Sequence, residues 1–148
     1  MKSTKKHQQP FAESAATAKE LADIRTLLEC LRRLQIGQRL KKAISIHAIW
    51  QVAVVTGGTY SRFRSDSVIR KAGLPIQRDH IYKKRILVEQ FLASAPDLDA
   101  IIERARCCIV TVEEHTRLHK IDPDLDGWDR YKKAKVIVYD MVDKTRVA

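Results

Sequence analysis

Five histidines lie in this chain, and three of them stand where an imidazole can do chemistry: His80, His115 and His119. His80 directly follows Asp79 and closes a short stretch after Pro75, where proline disfavours helix and an extended segment, Ile76 to His80, is expected. His115 and His119 are four residues apart. On a helix that spacing puts both rings on one face with their roots about 6 Å apart, a span that one metal ion can bridge. Imidazole is also the side chain that exchanges a proton near neutral pH. Two co-facial imidazoles suit a divalent cation, and Asp79-His80 is the best catalytic candidate pair in the chain. His47 lies among apolar residues and reads as a core or boundary histidine, and His7 belongs to the N-terminal tail.

Charge frames this constellation. The chain carries 28 Lys+Arg against 18 Asp+Glu, a net charge of +10. Such an excess favours a polyanion, because cations that meet phosphates release condensed counterions. The density is greatest between Arg62 and Arg85, where Arg62, Arg64, Arg70, Lys71, Arg78, Lys83, Lys84 and Arg85 are opposed only by Asp66 and Asp79. These eight are the candidate nucleic-acid contacts. Between Glu113 and Asp129 the balance reverses. Tyr60 and Phe63 interleave with Arg62 and Arg64 after the Gly57-Gly58 loop, as in a segment that touches nucleic acid.

The elements that must position these residues can be read from periodicity. Leu21, Ile24, Leu27, Leu28, Leu31 and Leu34 mark one apolar stripe on a helix from about Glu13 to Ile36, ended by Gly37. Gln38 to Val55 has helical spacing as well, although Ala48 to Val55 is apolar enough for a buried strand, and it is read as a helix paired with the first. Ser65 is a candidate N-cap for a short helix to Ala72. Helices are expected over Lys83–Ala93, from Asp97 or Asp99 to Arg106, and over Asp124–Lys135, with strands at Cys107–Val110 and Val136–Tyr139. Thr111 and Glu114 have capping-box spacing, which opens a helix to about Lys120 and places His115 and His119 on it. Trp128 and Tyr131 share a face and read as anchors of the terminal helix.

A strand ending in Asp-His, a second strand and a helix bearing histidine resemble the ββα-metal motif of HNH-type endonucleases. The resemblance covers residues 77–120 and rests on RDHIY at 78–82, CCIVTVEEH at 107–115 and TRLH at 116–119. It implies that His80 is the general base that activates water, and that Asp79 and His115 are metal ligands with His119 a third. The implied cofactor is a divalent metal, Mg²⁺ or Zn²⁺, and the implied activity is hydrolysis of phosphodiesters in DNA. The asparagine that orients the base in that family has no counterpart, since the chain contains none. A backbone carbonyl within Cys107–Ile109 is the expected substitute.

The architecture expected is α+β and mainly helical: an N-terminal helical pair plus a ββα-metal-like two-stranded ribbon and helix. Residues 1–12 read as a flexible basic tail and 13–148 as a single domain, with regions 13–56, 65–120 and 121–148. No apolar run suits a membrane span, and Met1 to Phe11 lacks the apolar stretch of a signal peptide. Cys30, Cys107 and Cys108, odd in number and without CxxC spacing, suit a reducing cytoplasmic setting. Two other functions fit the same charge: a non-catalytic DNA-binding protein on a degenerate nuclease scaffold, or a small basic inhibitor docking on an acidic partner.

Overall fold

The computed structural model describes residues 8, 10–57, 61–71 and 73–148. In chain order the elements are α1 (Ala15–Arg33), α2 (Gln38–Thr56), β1 (Phe63–Ser65), α3 (Asp66–Arg70), β2 (Ile76–His80) and α4 (Lys84–Leu92). There follow α5 (Leu98–Arg104), β3 (Cys107–Thr111), α6 (Val112–His119), α7 (Gly127–Lys133), β4 (Val138–Asp140) and β5 (Thr145–Arg146). The protein is α+β and mainly helical, as its patterning indicates. It divides into two compact units: Glu13–Thr56 with Tyr82–Arg106, and Gly57–Ile81 with Cys107–Ala148 and the segment up to Ala12. The region 65–120 is therefore shared between them, its middle belonging to the helical unit.

The helical unit is built on α1, α2, α4 and α5. Ser14 caps α1, its Oγ accepting from Thr17 N at 3.1 Å, and Arg32 and Arg33 pair with Glu29 in the last turns. Leu21, Ile24, Leu28 and Leu31 are buried at helical spacing, whereas Leu27 and Leu34 are about half exposed, so the inward stripe is narrower than the apolar pattern suggested. The ambiguous run Ala48–Val55 is helical. Ala48, Ile49, Val52 and Ala53 close the core with Leu87, Val88 and Phe91 of α4 and Leu98 and Ile101 of α5. Arg106, beyond α5, pairs with Glu13 at 2.8 Å and Glu103 at 2.9 Å.

The second unit holds a five-stranded sheet of order β2-β3-β1-β4-β5. β2 and β3 pair antiparallel, as the two-stranded ribbon requires, but the ribbon is the edge of a larger sheet. β1, which the sequence pattern did not announce, runs parallel to β3 with Phe63 opposite Cys108 and antiparallel to β4. A strand centred on arginine breaks the apolar signature, yet Arg64 is buried with its Nε donating to Ser61 O at 2.7 Å. β3 lies inside the sheet with all five residues buried, which is why CCIVT is apolar without alternation. β5 was not anticipated either, and α7 is shorter than the Asp124–Lys135 pattern. Of the presumed tail, residues 1–7 and 9 lie outside the described residues, and Phe11 N donates to Met141 O at 2.7 Å. Among the described residues no helix is long and apolar enough to cross a membrane.

Candidate metal centre

The centre is built by the β2–β3 pair and by the helix that leaves β3. Register sets Asp79 opposite Cys108 and His80 opposite Cys107. Successive strand residues point to opposite faces, so Asp79 and His80 part company at the backbone. α6 starts in a complete capping box: Thr111 Oγ1 accepts from Glu114 N at 3.2 Å, and Glu114 Oε2 accepts from Thr111 N at 2.9 Å. Ser65 Oγ donates to the same Glu114 oxygen at 2.6 Å, tying β1 to the helix start. Val112 N donates to Pro75 O at 3.0 Å, which fixes the first turn of α6 beside the entrance to β2. One turn further on comes His115, and one turn after that His119.

These constraints bring Asp79, His115 and His119 together, with one ligand atom of each lying within 4.8 Å of the others. His115 Nε2 is 3.0 Å from His119 Nε2 and 3.6 Å from Asp79 Oδ1. Ligands bound to one ion at about 2.1 Å stand roughly 3.0 to 3.4 Å apart in tetrahedral or octahedral arrangement. The two imidazoles stand at that spacing, and the Asp79 carboxylate lies just beyond it. Two imidazoles and one carboxylate suit Zn²⁺ or another first-row transition ion better than Mg²⁺, which prefers oxygen throughout. Burial lowers the His115 pKa; Asp79 opposes that shift, and His119 and Arg130 add to it. A neutral His115 is the form that ligates. His119 ends α6, where the helix dipole is negative and favours a cation.

Two residues that sequence reasoning assigned to packing, or passed over, belong to the site. Asp79 is almost fully buried, and its Oδ2 accepts from Tyr131 Oη and from Arg130 Nη2 at 2.5 Å. Arg130 Nη2 also donates to His80 O at 2.5 Å. Tyr131 is buried as expected, with Trp128 edge-on to it and to Phe63. Its phenol is held well above its ordinary pKa by burial first and then by Cys108 and Asp79, so it remains a donor. Burial likewise keeps Cys108 a thiol. The available signal was chemical: a buried tyrosine needs a partner for its hydroxyl, and Asp79 is the buried acid in need of donors.

His80 does not join the three ligands. Its Nδ1 lies 3.7 Å from Cys107 Sγ, the cross-strand neighbour on the face away from Asp79. The basic stretch is also redistributed. Arg62 makes a two-pronged pair with Asp140 at 2.7 to 3.0 Å, and Arg64 is buried within β1. Phe63 is buried beside Arg64, while Tyr60 lies outside the described residues. Arg70 pairs with Asp66 at 2.6 Å but stays exposed, as do Lys71 and Arg78. Lys83, Lys84 and Arg85 belong to the helical unit, where Lys84 Nζ sits 3.7 Å from the centroid of the Trp50 ring. In the sheet unit α6, α7 and their ends add exposed Arg117, Lys120, Lys132 and Lys133, and the turn between the helices adds Asp122 and Asp124.

Comparison with protein-family models, with curated proteins and with solved structures produced no match.

Proposed function

We propose that this chain binds nucleic acid, DNA foremost, and hydrolyses a phosphodiester at one divalent cation held by Asp79, His115 and His119. The observation that carries this reading is the convergence of those three ligand atoms within 4.8 Å, in a chain of net charge +10. A cation bound there supplies positive charge to a phosphate oxygen and acidity to a coordinated water. His115 and His119 present Nε2, and Asp79 presents Oδ1. The exposed Arg70, Lys71, Arg78, Arg117 and Lys120 of the same unit pair with backbone phosphates and set the strand's position without reading its bases. The Asp-His pairing of HNH-type enzymes gives the base to the second residue, but the His80 ring faces away from the cluster, so no proton transfer is assigned to it here.

The test is a supercoiled plasmid incubated with the protein and Mg²⁺, Mn²⁺ or Zn²⁺, then with EDTA. Nicking that EDTA stops and that His115→Ala removes is the expected result, with His80→Ala still active. A salt-sensitive shift of DNA without cleavage rejects the hydrolytic half and leaves a binder on a nuclease-like scaffold. Neither shift nor cleavage rejects the whole reading in favour of a basic protein that docks on an acidic partner.

A further inference from the structure

The proposed cation site has an unusual neighbour. Its one carboxylate is already engaged. Asp79 Oδ2 takes hydrogen bonds from Tyr131 Oη and Arg130 Nη2, while Oδ1 alone looks toward His115 Nε2 at 3.6 Å. Both donors come from α7, whose start is pinned to the end of β2 by Gly127 N donating to Ile81 O at 3.1 Å. Gly127 sits at φ 61°, a conformation that glycine adopts without penalty and that lets the chain turn into α7 at that point. Arg130 and Tyr131 then fall one turn into the helix, level with Asp79. Arg130 spans the Asp79 side chain and the His80 carbonyl, and its buried Nε has no hydrogen-bond partner among the described residues. The guanidinium is thus held by those two acceptors, and it accepts an unsatisfied N–H in order to reach them, which native interiors rarely tolerate without a functional reason.

We propose that Arg130 and Tyr131 are positioning residues for the metal: they leave Asp79 a one-oxygen ligand through Oδ1 and cancel its charge, so that the cation binds most tightly together with an anion of the phosphate-diester class. The inference rests on the cation site proposed above and names what completes it. With the Asp79 carboxylate already paired to Arg130 at 2.5 Å, a dication that enters at Oδ1 brings positive charge in excess. A phosphodiester monoanion offsets half of that excess, and linkage makes each ligand strengthen the other by the same factor. Partners that orient a ligating carboxylate change metal affinity by about 10- to 100-fold when removed. The competing explanation is a buried ion pair that only pins α7 to the sheet.

The experiment uses the full chain, Co²⁺ as the probe cation and dimethyl phosphate as the probe anion. Visible absorption follows the cobalt, and thermal unfolding of the metal-free protein is recorded alongside. Wild type is expected to bind Co²⁺, and dimethyl phosphate to tighten that binding several-fold. Tyr131→Phe should weaken Co²⁺ binding by about tenfold with an altered cobalt spectrum. Arg130→Met frees the Asp79 charge to offset the cation, so it should bind Co²⁺ with a smaller anion effect than wild type. If Arg130→Met does not fold, Arg130→Lys keeps the charge without the fork, and it should retain the anion effect at reduced Co²⁺ affinity. Tyr131→Phe with wild-type cobalt affinity and spectrum, changed only in melting temperature, overturns the positioning role and leaves the cation site standing. Tight Co²⁺ binding to wild type that dimethyl phosphate does not affect overturns the charge argument. Wild type that binds no Co²⁺ removes the cation site itself, and the inference with it.

Discussion

His115 is the residue whose environment speaks most directly to its chemistry. Burial lowers its pKa from 6.5 against the pull of Asp79, so in the metal-free protein its imidazole should titrate below 6.5 by NMR. The unfolded chain then takes up the proton first as pH falls. Stability attributable to His115 is intact above 6.5, declines below it and is fully lost beneath the folded value. His115→Gln should therefore flatten the fall in unfolding free energy between pH 6.5 and that lower point. The arginines divide in the same residue-level way. Arg62→Ala leaves the buried Asp140 without its charged partner and should cost roughly 2 kcal/mol in urea unfolding, the Arg62 side chain being partly solvated. It should not change DNA affinity of the folded protein. Arg78→Ala should do the opposite, leaving stability within about 0.5 kcal/mol. It should also reduce the slope of log affinity against log salt by about 0.9, the value of one lost phosphate contact.

At the scale of elements, the start of α6 decides whether two histidines become a site. The capping box and the Ser65 bond to Glu114 hold the first turn, and His115 follows one residue after Glu114. Thr111→Ala removes the cap of a buried helix start and should cost about 1 kcal/mol. Because His115 and His119 are carried by that turn, Co²⁺ binding should weaken in the same variant. Thr116→Ala, on the exposed side of the same helix, loses only a bond back to Val112 O and should leave both measurements near wild type. If cobalt affinity survives the loss of the cap, the helix start is not what positions the imidazoles. Element identity was largely readable: all seven helices of the described residues and the strands β2, β3 and β4 follow in outline from period, caps and proline placement. β1 was not, because its signature is one buried arginine between a phenylalanine and a serine, and its burial comes from neighbours far along the chain.

For the molecule as a whole, the division into units governs how a ligand is felt. Asp79, His115, His119, Arg130 and Tyr131 all belong to the sheet unit. A cation that binds the native state stabilises the segments that hold it. Hydrogen exchange with and without Zn²⁺ should therefore show slower exchange in β2, β3, α6 and α7, and no change in α1, α2, α4 and α5. Protection spread evenly over both units would mean that they open as one body. The helical unit has its own core of leucines, isoleucines and valines drawn from α1, α2, α4 and α5. Its Lys83, Lys84 and Arg85 are contiguous in sequence with the sheet unit's Arg78 but not part of its fold.

By itself the sequence determined the local rules: which runs are helical, where α6 is capped, that β2 ends in Asp-His and that His115 and His119 share a face. Those properties depend on residues within about four positions of one another, which the backbone's own periodicity and hydrogen bonding control. Only the tertiary structure decided what meets what. It turned Asp79 toward the helix and His80 away, through strand alternation and pairing with Cys108 and Cys107. It also paired Arg62 with Asp140, buried Arg64 within β1 and brought Tyr131 and Arg130, some fifty residues downstream, onto the carboxylate. Such choices rest on which buried polar groups find partners across the fold, and no local pattern in the chain encodes that.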